Sequence, residues 1–262
     1  MKTLQLTRTL FLTLLAGFSL TACDVDGVLP CENGDGTRVT EPRTETGFDQ
    51  ILLDLPGDVY ITEGEDFVID ITAQQNIIDQ IKTEVTGSLL EISKDRCIRS
   101  YKTIRIDITL PDISSLEVDG SGDIYVLDRF TGSNLDLFVK GSGSIDMTGD
   151  YQKTYLEVDG SGDISLATQS LEIETRIKGA GDVFLTGSAE LHNVDMDGSG
   201  NLESFEMISE VCDVKIDGSG DADVHVTSEL NVRILGSGDV RYKGTPAVDA
   251  SITGSGKLES VN

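Results

Sequence analysis

The sequence has no tryptophan, and aromatic residues make up only 5% of it. Sugar-binding platforms usually present flat aromatic faces, so a carbohydrate cleft of that type is disfavoured. Only two histidines, His192 and His225, could serve as neutral-pH bases. Neither stands beside a candidate nucleophile, so both are read as structural. Cations are scarce as well: 20 Lys and Arg face 46 Asp and Glu, a net charge of −26. That balance argues against nucleic acid, whose affinity rests on neutralising phosphates. It equally disfavours charge-driven docking on anionic lipid. No CxxC occurs and no Cys/His spacing suits zinc. The one long apolar run, Leu10 to Leu20, is too short for a membrane-spanning helix.

What that run does offer is a secretory signal, with Lys2 and Arg8 before it. Leu20-Thr21-Ala22-Cys23 closes it and resembles the bacterial lipobox. The resemblance implies cleavage before Cys23 and acylation of that residue, with residues 1–22 as lipoprotein signal peptide. Several acyl chains give a stable anchor without a spanning segment. The membrane, reached through lipid on Cys23, is therefore the first expected partner, and the cell envelope the expected location. Rules for the final leaflet differ between bacteria, so Asp24 leaves it open. Loss of Lys2 and Arg8 leaves 18 basic against 46 acidic residues, a mature net charge of −28. Three cysteines remain. Cys31 with Cys97 is the favoured disulfide, tying the mature N-terminal segment to the first part of the fold. Cys212 is read as a buried thiol behaving as a small hydrophobe.

The most informative feature is a repeat. Gly-Ser-Gly-Asp or a near relative starts at Gly120, Gly141, Gly160, Gly179, Gly198, Gly218, Gly236 and Gly254, with 18 to 21 residues between starts. Two residues before the first glycine stand Val118, Val139, Val158, Ile177, Met196, Ile216, Ile234 and Ile252. Four after it stand Ile124, Ile145, Ile164, Val183, Leu202, Ala222, Val240 and Leu258. Alternation on both sides of the turn is the mark of strands with one buried face. A repeat this short leaves no room for a strand-helix-strand unit, which takes about thirty residues. The predicted fold is all-β: a single-stranded parallel β-helix, or β-solenoid, with coils of ~18–21 residues stacked ~4.8 Å apart. Glycine at both turn positions is expected to allow positive φ and close stacking of corners. Residues 23–47 read as a tether, 48–112 as atypical first coils or a β cap, and 113–262 as the regular repeats, with 48–262 one continuous domain.

Asp or Asn closes most corners. In one reading the side chains cap turn amides and face water. In the other, less favoured, stacked Asp123, Asp163, Asp182, Asp221 and Asp239 bind Ca²⁺. The repeat is about twice too long for the calcium-binding nonapeptide motif, and Ser144 and Lys257 interrupt the row. No metal, other cofactor or catalytic residue is therefore predicted.

The lipobox, the opening Phe48…Ile51…Gly57-Asp58-Val59-Tyr60-Ile61, the Ile104–Leu110 strand before Pro111, and the repeated VDGSGDI at 118–124 and 158–164 together resemble the head GIN domain family, formerly DUF2807. The family carries the label of an autotransporter adhesin. The resemblance covers about residues 37–262 and implies an all-β solenoid outside the cytoplasm. It brings no catalytic residues. The expected function is thus non-enzymatic: a lipid-anchored envelope protein displaying a rigid solenoid to an unidentified protein or glycan ligand. The alternatives are a carbohydrate-active β-helix enzyme resembling polysaccharide lyases, and a structural envelope scaffold. Such enzymes build clefts from long insertions, for which the near-constant repeat leaves no room after residue 120.

Overall fold

The structure, a computed structural model, describes residues 31–261. Its first part holds β1 (Glu32–Asn33), β2 (Arg38–Arg43), β3 (Gln50–Leu53), β4 (Asp58–Glu63), β5 (Val68–Gln74), the short helix α1 (Gln75–Ile78), β6 (Ile81–Thr86), β7 (Leu89–Lys94), β8 (Ile98–Ser100) and β9 (Arg105–Leu110). β10 (Ser115–Val118) leads into six long strands: β11 (Ile124–Val139), β12 (Ile145–Val158), β13 (Ile164–Ile177), β14 (Val183–Met196), β15 (Leu202–Ile216) and β16 (Ala222–Ile234). β17 (Val240–Lys243), β18 (Ala247–Ile252) and β19 (Leu258–Ser260) complete it.

The chain is a β-solenoid. Each long strand pairs in parallel with the next, one coil further on. The apolar columns of the sequence become ladders: Ile124, Ile145, Ile164, Val183, Leu202, Ala222, Val240 and Leu258 stand in consecutive register. Val118, Val139 and Val158 begin a second such ladder and Ile234 and Ile252 end it. All of these residues except Leu258 and Ile252, on the last coil, are buried. β-branched side chains suit such columns because their stiff rotamers pack on a pleated surface.

Corner stacking explains the glycines, though not by the expected route. None of the corner glycines has positive φ; among the described residues the glycines that do are Gly36, Gly47, Gly87, Gly187 and Gly244. What the corner needs is the missing Cβ. A Cβ on Gly162 would lie 1.8 Å from the carbonyl oxygen of Gly143, one coil back. The residue between the two glycines needs no such freedom. Its N–H donates to the first glycine's carbonyl on the preceding coil, as Ser161 does to Gly141 at 3.0 Å and Ala180 to Gly160 at 2.9 Å.

Residues 48–110 stack out of chain order. β3 and β4 form a coil directly beneath β10 and β11. Beneath that coil lie β7, parallel to β3, and β9, parallel to β4. The chain reaches them late, after first building the outermost layer. There β5 runs antiparallel to β9 and β6 antiparallel to β7. Between them α1 buries Ile77 and Ile78. The antiparallel turn of this end follows from slotting β7 and β9 inside a layer already laid down.

The expected tether is tied into the fold over residues 31–43. β2 adds antiparallel to the outer edge of β5, and Cys31 is disulfide-bonded to Cys97 with Cα atoms 4.7 Å apart. Asn76 donates to Glu32 Oε1 at 2.7 Å and to the Asn33 carbonyl at 2.8 Å. The segment's polar composition reads as linker, yet an edge strand is polar for its own reason: it has only one covered side. The signal peptide, the start of the tether and the lipidation residue Cys23 lie outside the described residues.

Candidate binding surface

The corner acids form a row, and each already has a partner. Asp163 Oδ1 accepts from the Asp182 N–H at 2.8 Å, Asp182 Oδ1 from the Asn201 N–H at 2.7 Å, and Asn201 Oδ1 from the Asp221 N–H at 3.1 Å. Asp123, Asp221 and Asp239 do the same for Ser144, Asp239 and Lys257. The side chain of one coil thus satisfies an amide of the next, where the bend removes a strand partner. Among the described residues, no group of three or more His, Cys, Asp or Glu is arranged to hold a metal. The five calcium candidates are brought into line, with one oxygen of each turned to backbone. At the shortened first corner burial, then the nearby Asp123 charge, pushes the Asp58 carboxyl up.

The titratable groups inside the shaft are similarly committed. His192 is buried with Nε2 3.1 Å from Thr175 Oγ1. Burial pushes its pKa down to about 4, so the ring is neutral near pH 7. Cys212 pairs in register with His192 on one side and Leu230 on the other. It is a buried free thiol, and burial pushes it up, away from thiolate reactivity. His225 lies partly exposed, with Nδ1 3.3 Å from the Phe205 carbonyl oxygen.

Outward-facing residues form columns too, and they vary from coil to coil. On the face preceding the corner, one column reads Asp136, Tyr155, Glu174, Asn193, Asp213, Asn231, Asp249. The next, two residues on, reads Phe138, Glu157, Arg176, Asp195, Lys215, Arg233, Ser251. At the β11–β12 end Phe138 and Tyr155 pack with ring centroids 5.6 Å apart, and the Arg176 guanidinium sits 5.5 Å from the Tyr155 ring. Burial, then its hydrogen bond to Glu157, pushes Tyr155 up to about 12. Burial pushes Glu157 up as well, but the bonds from Lys178 and Tyr155 outweigh it and hold the carboxyl low.

Between the two columns, from β13 to β18, runs a groove of about 450 Å³. Its floor is the sheet backbone at Val194, Val214 and Val232, residues only 3–4% exposed whose side chains belong to the core. Its walls are the two columns, from Glu174 to Asp249 and from Arg176 to Ser251. Four coil steps of ~4.8 Å make it about 19 Å long, and two strand residues separate the walls by ~7 Å. Within it Lys215 pairs with Asp195 at 2.9 Å, Arg176 with Glu174 at 2.6 Å, and Asn231 Nδ2 donates to Asp213 at 2.7 Å. A second cavity of about 420 Å³, lined by Tyr155 and Asp136 among others, shares Glu174 and continues toward the aromatic pair. Sequence reasoning tracked the inward columns and passed over the outward ones. Their signal was present: the same offsets from the glycine give five consecutive acid or amide residues.

The profile of a family described as "Putative auto-transporter adhesin, head GIN domain" matches residues 47–246. Crystal structures share the fold. A "putative adhesin" from Parabacteroides distasonis is 25% identical, with a TM-score of 0.81 over 87% of this chain and 99% of that one. One from Parabacteroides merdae is 22% identical, with a TM-score of 0.84 over 88% and 99%. A Parabacteroides distasonis "putative lipid binding protein" is 23% identical, with a TM-score of 0.84 over 89% and 100%. No curated protein matches the chain.

Proposed function

The chain belongs to the head GIN domain family, and from that premise we propose that it is a non-enzymatic envelope protein, held by lipid on Cys23, that displays its solenoid as a rigid adhesive surface. The observation that carries this reading is the division of labour between columns. Inward columns and corners are committed to stacking, while outward columns hold a continuous surface whose chemistry changes from coil to coil. The ionisable groups that an enzyme reading would call on are otherwise engaged. The corner acids hold backbone amides, and His192 is sealed in the core. The adhesin descriptions of the family and of two structural relatives point the same way.

Cell fractionation combined with protease shaving tests the proposal. The native protein is expected in the membrane fraction and sensitive to protease on intact cells, with Cys23→Ser released into the soluble fraction. A Cys23→Ser protein that stays membrane-bound would remove the lipid anchor from the account, and full protection on intact cells would remove the adhesive display.

A further inference from the structure

We infer that the β13–β18 groove is a binding site for a neutral, hydroxyl-rich linear glycan. This rests on the reading of the solenoid as a displayed binding surface and assigns that surface a site and a ligand class.

The argument begins with unpaired groups. The side chains of Asn193, Arg233, Asp249 and Ser251 make no hydrogen bond or ion pair with other described residues. All four line one groove, on three coils. On the coils before the groove the lysines are paired, Lys140 with Glu117, Lys153 with Glu172 and Lys178 with Glu157. An unpaired guanidinium in a chain of net charge −26 stands ready for an acceptor brought by something else.

Charge narrows the ligand. The groove holds three cations, Arg176, Lys215 and Arg233, and four acids, Glu174, Asp195, Asp213 and Asp249. It is nearly neutral within a strongly acidic protein. A polyanion meets the repulsion of the whole chain, and a polycation would find more acidic sites elsewhere. Shape narrows it further. The floor is a sheet face, not an edge, so no backbone donors are offered to an extended peptide. The valines show too little surface to seat a lipid chain or apolar side chains. What remains is a ligand carrying donors and acceptors in equal measure along its length. Hydroxyls satisfy both walls: they donate to the acid and amide column and accept from Arg233 and Lys215. Tyr155 and Phe138, beyond the shared Glu174, could take one further ring.

Calorimetry of the detergent-solubilised full chain against cello-, xylo- and manno-oligosaccharides, with a polyuronate alongside, tests the assignment. At least one neutral oligosaccharide is expected to bind better than the polyuronate. Arg233→Ala and Asn193→Ala, both at outward positions, are each expected to weaken binding on the order of tenfold. Glu203→Ala, on the face after the corner, is expected to leave it unchanged. Binding by the polyuronate alone, binding indifferent to both groove variants, or no binding by any neutral oligosaccharide would overturn the assignment. Protease shaving separates the two levels. A displayed chain that binds no neutral glycan defeats only the groove, whereas a glycan-binding chain that is not displayed defeats only the adhesive role.

Discussion

Replacing Gly162 by alanine tests the account of the corner at its narrowest point. The added Cβ would sit 1.8 Å from the Gly143 oxygen and 2.8 Å from its carbonyl carbon. Relief to an ordinary contact requires the corner to open by more than 1 Å, against a coil rise of only ~4.8 Å. That movement pulls on the neighbouring bond from the Ser161 N–H to the Gly141 carbonyl and on the one from the Asp163 N–H to Ser144 Oγ beside it. Overpacking of a tight site costs ~1–3 kcal/mol and each weakened bond ~1 kcal/mol, so a total of about 3–4 kcal/mol is expected. Two controls separate the causes. Ser161→Ala, at the position where Ala180 already stands in the next coil, is expected to cost less than ~1 kcal/mol. Gly87→Ala meets no atom within 4 Å but has φ of +66°, so it isolates backbone strain, ~1 kcal/mol. Urea unfolding followed by far-UV circular dichroism measures all three. If Gly162→Ala proves no more damaging than Ser161→Ala, the coils are not held at the distance argued and the stacking explanation fails.

Other expectations follow from the shaft and the ladder. His192 has its folded pKa pushed down to about 4 from 6.5, so its contribution is complete above about pH 6.5 and is lost as pH falls toward 4, on the order of 3 kcal/mol in all. His192→Leu should flatten that part of the stability–pH curve, and an unchanged slope would show that the ring is reached by protons in the folded state. Asp182→Ala strands the Asn201 amide and should cost ~1–2 kcal/mol, whereas Asp182→Asn keeps the acceptor and should cost much less. Equal losses in thermal melts would mean that charge, not hydrogen bonding, is what the row supplies. The Cys31–Cys97 link closes a separation of 66 residues, and replacing both by serine should cost up to about 4 kcal/mol by the loop-entropy argument. Hydrogen exchange should place the loosening in β1, β2 and α1; uniform loosening through β16 would contradict the local tie. Cys212 should resist a thiol reagent until the chain unfolds, and rapid labelling of native protein would contradict its burial.

The regular coils were legible because one short phrase carries two independent signals: a fixed glycine offset and period-two apolar residues around it. Val158 and Ile164, either side of Gly160, can be placed on the inner face from spacing alone, and both are buried. The role of the glycines was half legible. Sequence shows that a side chain is not wanted at Gly162, but whether the reason is φ or a neighbouring carbonyl depends on what lies one coil away. The same limit hid the destination of the Asp182 oxygen, which serves an amide nineteen residues later. The first layers were least legible. β7 and β9 look like any later strands, and nothing local records that they slide between β5–β6 and β3–β4. The polar stretch around Arg38–Arg43 reads as linker until β5 is present to receive it.

A β-solenoid separates stability from recognition more sharply than a globular core does. Changing Ile164 or Gly162 disturbs contacts with two adjacent coils, so those positions answer to packing. Changing Asn193 or Arg233 disturbs no partner among the described residues, so packing leaves their identity open. Yet the backbone under them is held by the same ladders that hold the core, with Asn193 in register between Glu174 and Asp213. A ligand lying along the groove therefore meets side chains at a fixed rise and separation, without a further ordering cost for the strands beneath. That pre-organisation makes modest individual contacts sum along the groove. It follows that affinity should grow with ligand length until the ligand spans about 19 Å and then level off. A groove that bound only one ring, at one coil, would show no such growth, and the repeated outward columns would then be decoration on the shaft.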